Sequence, residues 1–314
     1  MKPTDGHIAY IINPKSGASS SKRACRRFQR YLVERGFEVH ASRTRSLAHA
    51  CQLATDAAVD DGCMLAVVAG GDGTVREVAH GLEGSDTPLL IVPSGTENLL
   101  ANELGFDRRL DTLVRTFEAG VIRPLDLGMA NGKCFASVVG FGFDGEVVDL
   151  VNRRRTGHIN HFDYVDPLWR IFWSHQFQPM RVEVDGKQIF DGRGLVFVGN
   201  ISRYAIGLQI LHYADIADGQ LDICIYRCAG RVHLVKHSIL TVLKHHADSR
   251  DVIYRHGKHI VVDSAVEGIR TQIDGEPGPP LPVRISVVAR AVRCMVPAGA
   301  RPAGIRRRVL RALR

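Results

Sequence analysis

The segment with the densest chemical information is Gly70-Gly71-Asp72-Gly73-Thr74. Its three glycines let the backbone approach a ligand closely and adopt positive φ angles. The apolar run Leu65–Ala69 predicts a buried strand before it, and Val75–Leu82 predicts a helix after it. Free N–H groups at the start of such a helix favour phosphate. Because Asp72 would repel a phosphate, a bridging Mg²⁺ is expected with it. The alternative is a tight turn in which Asp72 caps the helix.

Two further loops are built in the same way. Asn13-Pro14-Lys15-Ser16-Gly17 follows the apolar run Ile8–Ile12, and Pro93-Ser94-Gly95-Thr96-Glu97-Asn98 follows Leu89–Val92. The carboxyl ends of parallel strands are where α/β sheets bind ligands. Three such loops at one sheet edge therefore predict a phosphate or nucleotide site. The sequence has neither a P-loop G-x4-G-K-[ST] nor a protein-kinase signature.

The elements that position these loops alternate between strand and helix. Short strands at 8–12, 37–41, 65–69 and 89–92 are separated by helical patterns at 22–35, 48–59 and 75–82, which predicts a parallel α/β sheet. After Pro124 the pattern changes. Strands are predicted at 134–139, 181–190, 194–200, 221–226, 259–263, 269–273 and 282–288, with turns at Asp185-Gly186 and Asp191-Gly192. The predicted fold class is α/β, with a second, mainly antiparallel β domain.

The chain has 314 residues, about twice the usual domain length, which also predicts two domains. The expected boundaries are 1–125, completed by 290–300, and 126–289, followed by a basic tail at 301–314. One helix is expected in the second domain near 231–246. Its apolar face would comprise Val232, Leu234, Val235, Ile239, Leu240 and Leu243.

Five motifs occur in the order seen in the diacylglycerol kinase catalytic superfamily. They are Asn13-Pro-x-Ser-Gly17, Gly70-Gly-Asp-Gly-Thr74, Gly95-Thr-x-Asn98, Asp218-Gly-x-Leu-Asp222 and Asp274-Gly-Glu276. The chain resembles the bacterial lipid kinases of this superfamily, which are relatives of sphingosine and ceramide kinases. The resemblance covers roughly residues 7–297. It implies a kinase with an ATP-binding first domain and a lipid-acceptor second domain.

The resemblance also implies roles for single residues. The nucleotide, with Mg²⁺, is expected to contact Asn13, Ser16, Thr44, Gly70, Gly71, Asp72, Gly73, Thr74, Gly95, Thr96 and Asn98. Asp274 matches the family's general base, with Glu276 beside it, and Asp72 is the other candidate for that role. Asp218 matches a metal site completed by main-chain carbonyls, expected from Asp215 and Gln220. Each Asp-Gly pair is also a good turn dipeptide, so a purely structural role stays open.

Two departures from the family pattern leave the acceptor lipid open. Leu99 follows Asn98 where the family often has aspartate, and the Gly-rich stretch after tyrosine is Tyr204-Ala205-Ile206-Gly207. An NAD kinase shares Gly-Gly-Asp-Gly, but Asn98-Leu99 and the Asp218 motif disfavour it. Gly140-Phe-Gly142-Phe-Asp-Gly145 formally matches a dinucleotide fingerprint, but without a clear βαβ unit. A catalytically degenerate membrane- or nucleic-acid-binding module is a further alternative.

Charge distribution bears on the partner. The net charge is +8, from 41 Lys and Arg against 33 acids. Six of those arginines lie in residues 301–314, which contain no acid, so the rest is nearly neutral. A nucleic-acid partner is therefore not expected. The tail, which would be amphipathic if helical, predicts contact with an anionic membrane surface, the alternative being a solubilising tail.

A second mixed segment combines basic and aromatic residues. Arg153-Arg154-Arg155 is followed by Phe162, Tyr164, Trp169, Phe172 and Trp173. Such residues stack on single-stranded bases, lie at a lipid headgroup interface, or pack inward on a helix, and the sequence leaves these options open. The histidine pairs His158/His161 and His256/His259 lack further ligands for a metal and are expected to be solvated or capping residues.

The seven cysteines stand singly, apart from Cys224 and Cys228, which have no second pair to complete a metal site. An odd count without a recognisable signal peptide predicts reduced thiols in the cytoplasm. No apolar run is long enough to span a bilayer, so the expected location is cytoplasmic with peripheral membrane association. A homodimer stays among the options.

Overall fold

A computed structural model describes residues 2–17, 19–154 and 165–299. The basic tail 301–314 lies outside the described residues, as do Arg155, His158, His161, Phe162 and Tyr164. The helices are α1 Ser19–Glu34, α2 Leu47–Val59, α3 Asp72–Gly81, α4 Leu99–Glu103, α5 Leu110–Ala119, α6 Phe143–Arg153, α7 Val165–Ser174 and α8 Arg231–Val242.

The strands of the first half are β1 His7–Ile12, β2 Glu38–Arg43, β3 Cys63–Gly70, β4 Leu89–Pro93, β5 Ile122–Ala130, β6 Lys133–Phe135 and β7 Val138–Phe141. The second half contains β8 Pro179–Val184, β9 Lys187–Gly199, β10 Leu221–Arg227, β11 Val252–Gly257, β12 His259–Asp263, β13 Thr271–Ile273, β14 Glu276–Pro277 and β15 Val283–Met295.

The chain divides into two compact units. Unit 1 comprises the described residues up to Leu127 and those from Ala289 onward, and unit 2 comprises Gly128–Val288. Strands β5 and β15 each pass from one unit into the other. The last strand residues of unit 1 are therefore supplied from the far end of the chain.

Unit 1 is built on a parallel sheet with the strand order β2-β1-β3-β4, and the end of β15 adds parallel to β4 through Cys294 and Leu89. Strand β3 is buried along most of its length, as expected for a parallel strand covered on both faces. Helix α1 buries Phe28 and Leu32, which recur at helical spacing. This unit confirms the predicted parallel α/β fold.

Unit 2 is an antiparallel sandwich. One layer runs β14-β13-β7-β9-β10-β11, and the other runs β9-β8-β12-β15. The long strand β9 belongs to both layers: residues before Gly194 pair with β8, and those from Gly194 on pair with β10. Buried side chains of both layers form one core, including Phe141, Val182, Val198 and Ile260. The predicted mainly antiparallel second domain is confirmed.

Three local expectations were wrong. Asp185-Gly186 forms the predicted hairpin turn between β8 and β9, but Asp191-Gly192 lies inside β9 and forms no turn. The residues expected to form one apolar face on the last helix do not all point inward. Val232, Val235, Ile239 and Leu243 are exposed, whereas α8 buries Leu234, His237 and Thr241. The helix also ends at Val242 rather than near 246.

All seven cysteines are free thiols. In the described part of the chain, no helix combines the length and apolarity that a membrane crossing requires.

Candidate functional site

The three Gly-bearing loops of unit 1 meet at the carboxyl edge of its sheet. Asn13, directly after β1, donates from Nδ2 to Oγ1 of Thr74 at 2.7 Å, which joins the first loop to the start of α3. Ser16 Oγ and Ser94 Oγ lie 2.8 Å apart and join the first loop to the third. The N–H of Ser94 donates to the carbonyl of Gly70 at 3.0 Å. The structure thus brings together the loops that the sequence singled out.

Glycine is required where the second and third loops touch. A Cβ added to Gly95 would lie 2.6 Å from Cα of Gly71, and a Cβ on Gly71 would lie 3.1 Å from Cα of Gly95. The contact is backbone against backbone, so no side-chain movement relieves it. Main chain, rather than side chains, therefore lines this part of the edge. Helix α3 begins here at Asp72, with Gly71 as its N-cap residue, and the Gly71 carbonyl accepts the N–H groups of Thr74 and Val75 at 3.0 Å.

Asn98 holds the third loop in shape. Its Oδ1 accepts from the N–H of Gly95 at 2.7 Å, and its Nδ2 donates to the Gly95 carbonyl at 2.9 Å. Asn98 itself adopts a left-handed φ of 50° directly before α4 and makes no side-chain hydrogen bond to that helix. Arg108, which the sequence analysis missed, donates from Nη2 to the carbonyls of Gly95 and Thr96 at 2.6 and 3.1 Å. No local motif identifies this arginine, because its role depends on the fold.

The remaining predicted nucleotide residues lie at the same edge. Asp72 is the first residue of α3, and its Oδ1 accepts from the N–H of Leu100 at 3.4 Å. Thr44 follows β2, is buried, and donates its N–H to the carbonyl of Ile12 at the end of β1. Gly73 lies in the first turn of α3. This edge offers the Asp72 carboxylate and the start of helix α3, which fits a phosphate group bound together with a divalent cation.

In unit 2, Asp274 occupies a tight turn between β13 and β14. It adopts a φ of 48°, and Gly275 follows with a φ of 78°. The Asp274 carboxylate accepts three main-chain N–H groups, from Ala136 at 2.9 Å, Ser137 at 3.0 Å and Val138 at 2.9 Å. These donors hold the carboxylate in one orientation and stabilise its negative charge.

Glu276 follows directly and belongs to β14. Its Oε2 lies 3.4 Å from Nζ of Lys133, and both side chains are partly exposed. The second carboxylate of the Asp-Gly-Glu motif is thus held by a surface ion pair, whereas the first is held by main chain. The two acids are therefore positioned by different means.

A buried carboxyl group behind this turn was not singled out from the sequence. Asp144, near the start of α6, receives a hydrogen bond from the Tyr204 hydroxyl. Burial raises the pKa of Asp144 to about 6, although the hydrogen bond from Tyr204 and the nearby Gln272 amide favour its ionised form. Oε1 of Gln272 in turn accepts the N–H of Gly275 at 2.8 Å. Asp144 lies in the Gly140–Gly145 stretch that formally matches a dinucleotide fingerprint. That motif is defined by its glycines, so it does not mark the aspartate as a buried carboxyl group.

The residues predicted to form a metal site lie in a loop before β10. Oδ1 of Asp218 accepts the N–H of Gln220 at 3.0 Å, and Oδ1 of Asp215 accepts the N–H of Ala217 at 3.2 Å. Both are local turns of the kind that aspartate favours. No group of three or more His, Cys, Asp or Glu among the described residues is arranged to hold a metal ion. The predicted site relies mainly on carbonyl oxygens, so it stays a prediction.

Comparison with known proteins assigns both parts of the chain. Residues 7–130 match the model of the diacylglycerol kinase catalytic domain, and residues 137–296 match the YegS C-terminal NAD kinase beta sandwich-like domain. A diacylglycerol kinase of Mycobacterium tuberculosis is 31% identical over 303 residues, covering 93% of this chain and 96% of the relative. The lipid kinase YegS of Escherichia coli is 27% identical over 289 residues, covering 90% and 94%.

The fold is also found among solved structures. A crystal structure from Bacillus anthracis superposes with a TM-score of 0.76 at 22% identity, covering 92% of this chain and 97% of that one. This likeness agrees with the parallel-sheet unit and the antiparallel sandwich described above. The chain belongs to the family of diacylglycerol kinases and YegS-type lipid kinases.

Proposed function

We propose that this protein is a Mg²⁺-dependent lipid kinase that transfers the γ-phosphoryl group of ATP to the hydroxyl of a lipid, such as diacylglycerol or a sphingoid-type lipid. The observation that carries the proposal is the backbone contact of Gly71 with Gly95 at the start of α3. Main chain replaces side chains there, which is what binding of phosphate through N–H groups requires. The relatives named diacylglycerol kinase and lipid kinase support the acceptor class.

In this proposal unit 1 binds the nucleotide. The first turn of α3 and the Gly95–Asn98 loop contact the phosphates, and Thr44 and Thr96 complete the site. Mg²⁺ bound with the nucleotide would neutralise phosphate charge, and Asp72 offers the oxygen ligand that this ion prefers. Arg108 donates to the carbonyls of the Gly95–Asn98 loop, so the role of this arginine is to position the main chain of the loop.

Unit 2 supplies the base. Asp274 takes the proton of the acceptor hydroxyl as that oxygen bonds to the γ-phosphorus, while the bond from the γ-phosphorus to the bridging oxygen breaks and ADP leaves. Three main-chain N–H groups fix the orientation of the carboxylate, and a general base needs a fixed orientation to accept the proton of one hydroxyl group. Glu276 stands beside it. The loop with Asp215, Asp218 and Gln220 is proposed to bind a structural cation through its carbonyls.

The decisive experiment measures the acceptor. Purified protein is incubated with ATP labelled in the γ-phosphate and a total lipid extract, and mass spectrometry identifies the phosphorylated lipid. A parallel incubation with NAD tests the alternative acceptor. Formation of NADP without a phosphorylated lipid would overturn the proposal. Binding of ATP with no transfer to either acceptor would indicate a catalytically degenerate module.

The nucleotide half has its own test. In Gly95→Ala the new methyl group meets the Gly71 backbone, so the two loops must separate and ATP binding is expected to weaken about tenfold or more. Gly230→Ala is the control, because that glycine is extended and has open space around it. ATP affinity is measured by calorimetry. Equal affinity of both variants would mean that the contact between the two loops is not part of the nucleotide site.

The tail and the location belong to the same proposal. A kinase that acts on a lipid needs access to a membrane surface, and each arginine near an anionic leaflet contributes about 1 kcal/mol. We therefore place the protein in the cytoplasm, peripherally bound to membranes. Deleting residues 301–314 is expected to lower co-sedimentation with anionic vesicles, and unchanged binding would make the tail a solubilising segment.

A further inference from the structure

Helix α8 carries its apolar side chains on the outside. The exposed residues Val232, Val235, Ile239, Val242 and Leu243, here named the apolar stripe, recur at helical spacing. At 100° per residue, the centre of the stripe lies roughly 160° from that of the buried face. The stripe therefore points almost directly away from the core of unit 2.

Polar contacts on the buried face fix this orientation. Nε2 of His237 donates to the carbonyl of Arg227 at 3.0 Å, and Oγ1 of Thr241 lies 2.9 Å from the Tyr226 hydroxyl. Burial lowers the pKa of His237, which favours its neutral form. Turning the helix to bury the apolar stripe would break both hydrogen bonds and leave buried polar groups without partners, which is costly. The outward stripe is thus enforced by the inner face.

Both tryptophans of the chain adjoin the start of this helix. Trp169 and Trp173 lie on α7, with side chains 63% and 50% exposed and ring centroids 5.6 Å apart. The Arg231 guanidinium, on the first residue of α8, lies 5.1 Å from the Trp173 ring centroid and bonds to the Phe172 and Trp173 carbonyls. The inward packing of these tryptophans that the sequence left open is therefore wrong.

The surroundings of the apolar stripe are basic. Residues 227–251 contain the five cations Arg227, Arg231, Lys236, Lys244 and Arg250 against Asp248 and Asp251. On the helix, Arg231 borders one side of the stripe and Lys236 the other, and Lys236 pairs with Asp251 at 2.5 Å. On α7, Asp166 is paired with Arg154 and Arg170. The patch formed by the apolar stripe and the two tryptophans thus has one helix cation on each side of the stripe, in a segment with three more cations than acids.

We propose that the apolar stripe and the two tryptophans dock onto the surface of an anionic phospholipid bilayer. The inference deepens the proposed lipid kinase activity and rests on it. Charge decides between occupants: a second copy of the same patch would set cations against cations, and the chain's own tail 301–314 is itself rich in arginine. An anionic headgroup layer complements the cations beside the stripe, and its acyl boundary takes up the stripe.

The dimensions suit this mode of binding. Residues 232–243 span about 16 Å along the helix axis, so α8 can lie in the plane of the interface. Tryptophan is enriched at membrane–water interfaces because its ring is apolar and its N–H is polar. Unit 2, which is proposed to receive the lipid acceptor, would itself contact the membrane.

The test uses the full chain and its own fluorescence. Because the two tryptophans lie in the proposed contact, their emission should shift to shorter wavelength with vesicles of phosphatidylcholine plus phosphatidylglycerol. Phosphatidylcholine alone should give little shift. Brominated acyl chains in the anionic vesicles should quench the emission. Absence of both the shift and the quenching, while the protein still co-sediments, would overturn the proposal.

Two double variants separate this surface from general charge effects. Val232→Glu with Ile239→Glu alters the apolar stripe at side chains 82% and 54% exposed. Val33→Glu with Val59→Glu makes the same change in unit 1, at side chains 55% and 78% exposed. The stripe variant should lose about tenfold or more in vesicle affinity, and the control should bind within about twofold of the parent. Equal binding of the two variants would overturn the proposal.

Further outcomes identify other occupants. If deletion of 301–314 abolishes vesicle binding and the stripe variant binds normally, the tail is the membrane contact and the stripe is not. If the parent emission shifts with protein concentration without vesicles and the stripe variant sediments as a smaller species, the stripe joins two copies. Either result overturns the proposal.

A kinase assay keeps this inference distinct from the proposed function. With a water-soluble short-chain diacylglycerol and no vesicles, the stripe variant should turn over as fast as the parent. On vesicle-borne acceptor it should be slower in proportion to its lost binding. If the parent phosphorylates no lipid but its tryptophans still enter anionic vesicles, the lipid kinase proposal fails and the docking surface stands.

Discussion

Two Asp-Gly turns of unit 2 are built alike, at Asp185-Gly186 and at Asp274-Gly275. Both aspartates have a φ of 48° and both glycines a φ of 78°. In each turn the aspartate N–H donates to a carbonyl of another strand, and the carboxylate accepts main-chain N–H groups. The donors to the first carboxylate are Lys258 and His259, and those to the second are Ala136, Ser137 and Val138.

The difference lies in what surrounds the turns. Behind Asp274-Gly275 lies the buried Asp144, reached through Gln272, and Glu276 follows in the chain. Holding a carboxylate by main-chain N–H groups is therefore a structural function of such a turn, whatever chemistry follows. If Asp274 is the base, matched substitutions in the two turns should change the stability of the protein equally, but only those in the Asp274 turn should lower turnover.

The largest effect is expected for Asp274→Asn. Loss of a general base lowers turnover about 10²–10⁴-fold, while ATP affinity should stay within a few fold because the nucleotide residues are untouched. Asp185→Asn is the matched control and should retain turnover. Steady-state kinetics on the identified lipid, with urea unfolding in parallel, measures both. Equal losses in both variants would make Asp274 a turn residue only, and retained turnover in Asp274→Asn would move the base elsewhere, with Asp72 as the candidate.

Asp144→Asn tests the buried group behind the Asp274 turn. Because folding raises the pKa of Asp144 from 3.8 to about 6, its contribution to stability is complete below pH 4 and is lost as the pH rises through 6. The parent should therefore lose about 2 kcal/mol of unfolding free energy from this group between pH 4 and pH 7. The variant should lack this loss. The free energy of unfolding of both proteins is measured by denaturant unfolding from pH 4 to pH 7, and an equal pH dependence in parent and variant would contradict the expectation.

The two glycines offer a closer comparison. Gly275→Ala and Gly186→Ala place a Cβ in open space, so each should cost only the strain of a left-handed alanine, about 1–2 kcal/mol. Urea midpoints should fall equally. Only Gly275→Ala should lower turnover, because it shifts the neighbouring Asp274. A clear difference between the two unfolding free energies would show that the turns are not equivalent.

The smallest effect is expected for Lys133→Gln. Its ion pair with Glu276 is partly exposed, so its loss should change the free energy of unfolding by about 0–1 kcal/mol. Arg181→Gln, which breaks the exposed pair of Arg181 with Asp191 at 3.4 Å, is the control in the same unit. A cost above about 2 kcal/mol for Lys133→Gln alone would mean that the pair does more than hold Glu276 at the surface.

The sequence predicts the loops of unit 1 well because their signals are local. An apolar strand followed by glycine, serine and threonine marks Gly70–Thr74 and Gly95–Asn98 without knowledge of the fold. The anchoring of Asp274 is different, since its three donors lie 136–138 residues away in the chain. The role of Arg108 likewise depends on where the third loop folds.

Helix α8 shows a second limit. Apolar periodicity identifies the helix but not which side faces the core. His237 and Thr241 are buried because partners on β10 satisfy them, and that information is not local. The Asp-Gly dipeptides differ for a similar reason: Asp185-Gly186 turns between β8 and β9, whereas Asp191-Gly192 continues through β9.

The course of β15 determines when unit 1 can finish folding during synthesis of the protein. The end of this strand supplies buried Val292, Cys294 and Met295 to unit 1, and the Val296 N–H beyond it bonds to the carbonyl of Val121. A nascent chain therefore completes β1–β4 long before this segment exists. Until unit 2 has left the ribosome, the β4 edge lacks its last partner and is open to wrong pairing. The unit made first is thus the one that is finished last.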